Sequence, residues 1–188
     1  MPEPTHEELV AAMKEAAGVL QDAEVPFILG GGLAAWARGG PKSEHDVDFM
    51  LRPEDADAAL AALDARGYRT ERPPEGWLVK TWVDDVLVDL IFDPSGGPID
   101  TETIERADVI EVAALRIPVA SLEDVMAQKL LALTEQEPEY GAVLEIARAL
   151  REQIDWDEVR DRTQSSPFAK AFFTLIEELG VIQPATAG

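Results

Sequence analysis

The stretch Val86-Leu-Val-Asp-Leu-Ile-Phe92 is apolar at every position but one. A short run that is apolar on both alternating faces reads as a strand covered on both sides, so the chain must fold helices over a central sheet. The exception, Asp89, is a carboxylate set inside that strand, where an unpaired charge costs on the order of several kcal/mol. A salt bridge to a neighbouring Lys or Arg, or a bound cation, are the two ways to offset that cost.

Around this segment the pattern predicts alternating helices and strands up to about Pro118, and helices alone after it. Thr5 caps a first helix running to about Asp22, with Leu9, Met13, Ala16, Ala17 and Leu20 on one face. Residues 26–29 form a short buried strand, Gly30-Gly31-Gly32 a turn, 33–38 a short helix, and 46–51 the second strand. A helix opens at Pro53 and ends at Gly67, 68–71 is an edge strand, and residues 77–83 and 86–92 flank Asp84-Asp85 as a tight hairpin. A short helix near 101–106 and one or two strands within 109–119 complete the sheet part. Ser121 and Asp124 look like a capping box for a helix over 122–133, followed by helices near 139–151, 156–162 and 167–179. The expectation is an α+β chain, with a mixed-sheet core and its N-terminal helix over residues 1–120 and a helical bundle over 121–188.

Composition narrows the chemistry. With 46% hydrophobic residues, 188 residues suffice for a substantial core. There is no cysteine, and His6 and His45 are the only histidines; a thiolate zinc site is excluded, and any catalytic metal is expected to sit on carboxylates. The formal charge of -21, from 16 basic and 37 acidic residues, repels nucleic-acid backbones unless basic groups are locally concentrated. No stretch has the pattern of a signal peptide or a membrane span, so a cytoplasmic location is expected.

In His45-Asp46-Val47-Asp48-Phe49 the strand period of two puts Asp46 and Asp48 on one face and Val47 and Phe49 on the other. Two like charges so placed suit a hard cation held by oxygen ligands, and Asp89 offers a third from another strand; a solvent-facing pair is the alternative. Gly30, Gly31 and Gly32 follow a strand and open a helix, where backbone amides can cradle phosphate; a plain turn is the alternative.

This order of Leu29-Gly30-Gly31, Asp46-Val47-Asp48 and a later Asp89 resembles the nucleotidyltransferase superfamily of DNA polymerase β, which includes the lincosamide and aminoglycoside nucleotidyltransferases and abortive-infection toxins. The likeness is good over residues 25–92 and loose beyond. Gly31 stands where many members carry Ser. Lys129 matches the first basic position of the toxin-type members, but residues 135–140 do not supply the rest. The resemblance implies a transferase that moves an NMP from an NTP to a hydroxyl and releases pyrophosphate, with two magnesium ions on Asp46, Asp48 and Asp89. Asp89 also helps deprotonate the acceptor. The amides of Gly30, Gly31 and Gly32 hold phosphates, and Arg38, Lys42, Lys80 and Lys129 are the candidates for neutralising them. The acidic balance favours a small molecule or a protein side chain as acceptor over an RNA end, and a homodimer is conceivable through the helical half. His45 is expected to cap a turn rather than to orient a carboxylate, and Trp36, Trp77, Trp82 and Trp156 to pack in the core rather than stack a base. A non-catalytic, antitoxin-like binding partner and a magnesium phosphohydrolase are the rival functions.

Overall fold

In the computed structural model of the chain, which describes residues 3–43 and 45–183, Asp84 and Asp85 both adopt positive φ, 48° and 66°. That left-handed pair is what a two-residue hairpin turn demands. It joins β4 (Leu78–Val83) to β5 (Val86–Ile91) in antiparallel register, with Lys80 opposite Asp89. β3 (Arg69–Glu71) adds to the far side of β4 as the expected edge strand. On its other side β5 pairs in parallel with β2 (Val47–Met50), and β2 pairs antiparallel with the two-residue β1 (Ile28–Leu29). A second hairpin, β6 (Asp108–Val112) and β7 (Leu115–Val119), joins through β7, parallel to β1. The order is β3-β4-β5-β2-β1-β7-β6, the mixed sheet that the sequence predicts.

Helices cover the sheet because their apolar stripes have nowhere else to go. α1 (His6–Asp22) starts at a capping box in which Thr5 and Glu8 satisfy one another's backbone amides. Its residues Leu9, Met13, Ala16, Ala17 and Leu20 are completely buried against β2, β4, β5 and α3 (Ala56–Ala65). α3 is shorter than expected: residues Pro53–Asp55 make a separate 3-10 turn before it. α2 (Gly31–Ala37) begins at the glycines predicted as a turn, and packs on β2 and on α5 (Leu122–Ala132). α4 (Thr101–Glu105) is a single capped turn or so. α6 (Tyr140–Leu150), α7 (Trp156–Thr163) and α8 (Pro167–Glu178) gather around α5, which touches all three. No helix among the described residues is long and apolar enough to cross a membrane.

One buried charge holds the helical part to the sheet part. Asp124, 1% exposed, accepts hydrogen bonds from Arg106 beyond α4 (3.1 Å), Arg162 on α7 (2.6 Å) and the Ser121 hydroxyl (2.8 Å). The Ser121 cap is present, with its hydroxyl accepting from the Asp124 amide, but the carboxylate does more than close a capping box. Burial works to raise its pKa; the hydrogen bonds from Arg106, Arg162 and Ser121 outweigh burial and hold it below the usual carboxylate range.

Two stability changes follow. Replacing Asp124 with Ala strands two guanidinium groups and should lower the unfolding free energy by about 3 kcal/mol or more in urea titrations. Because the Asp124 pKa is depressed, its stabilisation should be present in the wild type at neutral pH and fade as the pH falls through the native pKa. At the β6-β7 turn, Ala113 and Ala114 hold φ of 49° and 65°, a conformation that Ala resists and Asn-Gly favours. The double change Ala113→Asn, Ala114→Gly should therefore stabilise the fold by about 1 kcal/mol in the same assay.

Candidate active site

The parallel pairing of β2 with β5 sets Asp48 directly beside Asp89. Asp46 lies two residues before Asp48, on the same face. One carboxylate oxygen from each of Asp46, Asp48 and Asp89 lies within 4.8 Å of the others. Burial pushes Asp48 up to a pKa of about 7, aided by the neighbouring charges of Asp46 and Asp89 and opposed by Lys129 and Lys80. Asp89 is also raised, again first by burial, with Lys80 opposing and Asp46 adding to the rise. Lys80 Nζ stands 3.3 Å from Asp89 Oδ1 and forms a salt bridge with it, so one lysine partly offsets the buried carboxylate, which accepts no other side-chain hydrogen bond among the described residues. Three mutually repelling carboxylates answered by a single adjacent lysine, all oxygen and without sulfur or imidazole, fit a hard divalent cation.

The helix head beside these acids exists only because position 31 lacks a side chain. Gly31 has φ of +56°, and a Cβ there would stand 1.7 Å from Asp48 Oδ2. A Cβ on Gly32 would fall 2.5 Å from the Ser43 hydroxyl. The three expected phosphate-binding glycines are not equivalent: the Gly30 amide donates to the Asp48 carbonyl (2.8 Å) and extends the sheet, so it has no donor left for a phosphate. Gly31 and Gly32 occupy the first turn of α2, where amides have no acceptor within the helix.

The expected basic residues divide in the same way. Lys129, on α5, borders both hollows that flank the acids. The larger, about 420 Å³, runs from Gly31 and Asp48 past Lys129 and Gln128 to Trp77 and Asp93. The smaller, about 110 Å³, holds Gly32, Asp46 and Lys129 together with Lys42, His45 and Glu145. Lys42 is mostly exposed and pairs with Glu7 at 3.4 Å. His45 is solvent-exposed and lies 3.8 Å from Glu3, with no carboxylate of the triad to orient. Arg38 departs from expectation. Its guanidinium donates to the Ala120 and Val119 carbonyls and pairs with Asp108 at 3.0 Å. It sits at the end of α2 opposite Gly31, about 10 Å away along a seven-residue helix, and so clamps α2 to the β6-β7 hairpin rather than facing a triphosphate.

The tryptophans also part company. Trp36 meets His6, Trp82 lies beneath Arg69, and Trp156 packs on Phe173, as packing residues do. Trp77 instead lines the larger hollow and is 39% exposed. Sequence reasoning missed this role, as it missed Gln128 and Asp93. Their meeting depends on α5 facing the end of β5 across this hollow, for which the local sequence carries no signal.

Sheet order, one acid on β2 and one just before it, a third acid on β5 and a glycine-headed helix form one arrangement, and residues 9–172 match the family described as "Nucleotidyl transferase of unknown function (DUF2204)". The chain belongs to this nucleotidyl transferase family. No curated protein matches it. Among solved structures, the antibiotic-resistance factor ANT(2'')-Ia in solution is similar with a TM-score of 0.64 at 15% identity, over 94% of this chain and 99% of that one. ANT(2'')-Ia in complex with adenylyl-2''-tobramycin gives 0.60 at 16% identity, over 87% and 98%. The lincosamide antibiotic adenylyltransferase LnuA, lincomycin-bound, gives 0.50 at 16% identity, over 72% and 94%. At these identities the likeness is one of fold, and it extends the nucleotidyl transferase architecture through the C-terminal helices that the sequence resemblance reached only loosely.

The raised Asp48 pKa has a measurable sign. A carboxyl group whose native pKa lies above its unfolded value of 3.8 stabilises the fold fully below that value and loses the contribution as the pH rises through about 7. In metal-free protein with chelator, Asp48→Asn should become more stable than wild type by about 1–2 kcal/mol as the pH is raised from about 5 to about 8. Thermal melts of the two proteins across that range check it; parallel curves would contradict the Asp48 assignment.

Proposed function

We propose that this nucleotidyl transferase is a magnesium-dependent enzyme that moves the NMP of an NTP to a hydroxyl group of a small acceptor and releases pyrophosphate. The observation that carries the reading is the convergence of Asp46, Asp48 and Asp89 within 4.8 Å beside the head of α2, with Asp48 on the wall of an open hollow. Asp46, Asp48 and Asp89 would hold the metal. Magnesium, when bound, offsets the phosphate charge and polarises the α-phosphorus for in-line displacement. The chain's own groups do the rest. The Gly31 and Gly32 amides and Lys129 take the polyphosphate, with Lys42 at the rim of the smaller hollow. Asp89, whose pKa burial raises, takes the proton of the acceptor hydroxyl as the hydroxyl oxygen bonds to the α-phosphorus. The bond from the α-phosphorus to the bridging oxygen breaks, and pyrophosphate leaves with that electron pair.

A small acceptor is favoured on two grounds. The charge of -21 opposes a long polyanion. The similar structures were captured with small molecules, adenylyl-2''-tobramycin in one and lincomycin in another. Calorimetric titration with each NTP in magnesium should give saturable binding to wild type that is lost in the Asp46→Asn, Asp48→Asn double variant. With acceptor present, turnover should fall by about two orders of magnitude or more. Release of pyrophosphate is the expected product signal. Orthophosphate would make the protein a hydrolase, and a well-folded wild type that binds no NTP would make it a non-catalytic partner.

A further inference from the structure

The four tryptophans differ in what covers their rings. His6 meets Trp36 edge-on at 4.5 Å, the Arg69 guanidinium lies 3.6 Å over Trp82, and Trp156 donates its indole N–H to the Arg151 carbonyl at 2.9 Å. Among the described residues Trp77 has no such aromatic or cationic partner and no hydrogen bond from its indole nitrogen. Its backbone is nonetheless fixed: its carbonyl accepts from the amides of Phe92 and Asp93, both at 3.1 Å, which roots the ring beside the end of β5. A large flat apolar side chain, 39% exposed on the wall of a hollow and without a ring partner of its own, offers a face to a planar ligand.

The position of the ring identifies what covers it. Trp77 lines the hollow of about 420 Å³ to which Gly31, Asp48, Asp93 and Lys129 also belong, and Ile91 and Val125 add apolar wall. With a cation on the acids beside Gly31 and Lys129, such a hollow matches a molecule that carries both an anionic group and a planar, apolar one. Lys129 supplies positive charge in a protein whose surface is otherwise strongly acidic. We propose that Trp77 is the platform on which the nucleobase of the NTP stacks, so that the larger hollow takes the nucleoside while the polyphosphate lies toward Gly31 and Lys129. The assignment rests on the transferase reading above and adds a residue outside the glycines and the acids. Stacking on an indole face tolerates every base and grows with ring size, so purine nucleotides bind more tightly than pyrimidine ones.

The test compares two probes, ATP and inorganic tripolyphosphate, each with magnesium, on wild type, Trp77→Ala and Trp77→Phe. Trp77→Ala should raise the Kd for ATP roughly tenfold or more and leave that for tripolyphosphate within about twofold, while Trp77→Phe keeps most of the ATP affinity. Quenching of tryptophan fluorescence by ATP should be strong in wild type and largely lost in Trp77→Phe, a readout that stands even if the Ala variant folds poorly. Unchanged ATP affinity in a folded Trp77→Ala, or an equal loss for both probes, overturns the platform assignment and leaves the transferase reading standing. Wild type that binds tripolyphosphate and ATP equally overturns it as well. Failure of wild type to bind either probe overturns the transferase reading and the platform with it.

Discussion

Because β2 and β5 run parallel with Asp48 beside Asp89, repulsion among the three carboxylates is built into the backbone pairing and cannot be relieved by a strand slip. A shift of one residue would turn Asp48 into the side occupied by Val47 and Phe49, both completely buried. The hydrophobic face therefore fixes the charges, and the surrounding structure answers them. Lys80 comes from the register of the β4-β5 hairpin and Lys129 from α5, and Gly31 removes the one side chain that would displace an Asp48 oxygen.

Much of this was readable from the residues alone. Alternation in 45–49 and the single acid in 86–92 gave the strands and the face that each acid occupies, because burial and pleat are local properties of a strand. The hairpin at Asp84-Asp85 and the capped helix at Thr5 came from turn and cap chemistry and agree with the structure within a residue or two. Helix boundaries after residue 120 are also close, since apolar periodicity is strong in α6 and α8 and Ser121, Asp155 and Ser166 cap the starts of α5, α7 and α8.

What the residues could not reveal were the partners chosen across the fold. Arg38 follows a glycine-headed helix and so reads as a phosphate ligand, but a helix has two ends and its guanidinium serves the far one. Asp124 reads as a cap, and only the packing of α7 and the turn after α4 turns it into a buried hub for two arginines. Gly30 reads as one of three equal amides until the β1-β2 pairing extends to take it. Trp77 reads as core because an aromatic flanking a strand usually is. In each case the deciding neighbour lies 18 or more residues away in sequence.

The same long-range pairing governs when the acidic site can exist. Asp46 and Asp48 precede α3 and the β3-β4 meander, whereas Asp89 follows them, and the parallel contact between their strands closes that whole loop. Loop closure of this kind is slow and comes late, after local helices and hairpins have formed. No isolated hairpin or helix of the chain can assemble the triad. A cation held by all three carboxylates would bind the native state and little that precedes it on the folding route, and so would act mainly by slowing unfolding. For this protein the ion would serve as a latch on the finished fold rather than as a nucleus for making it.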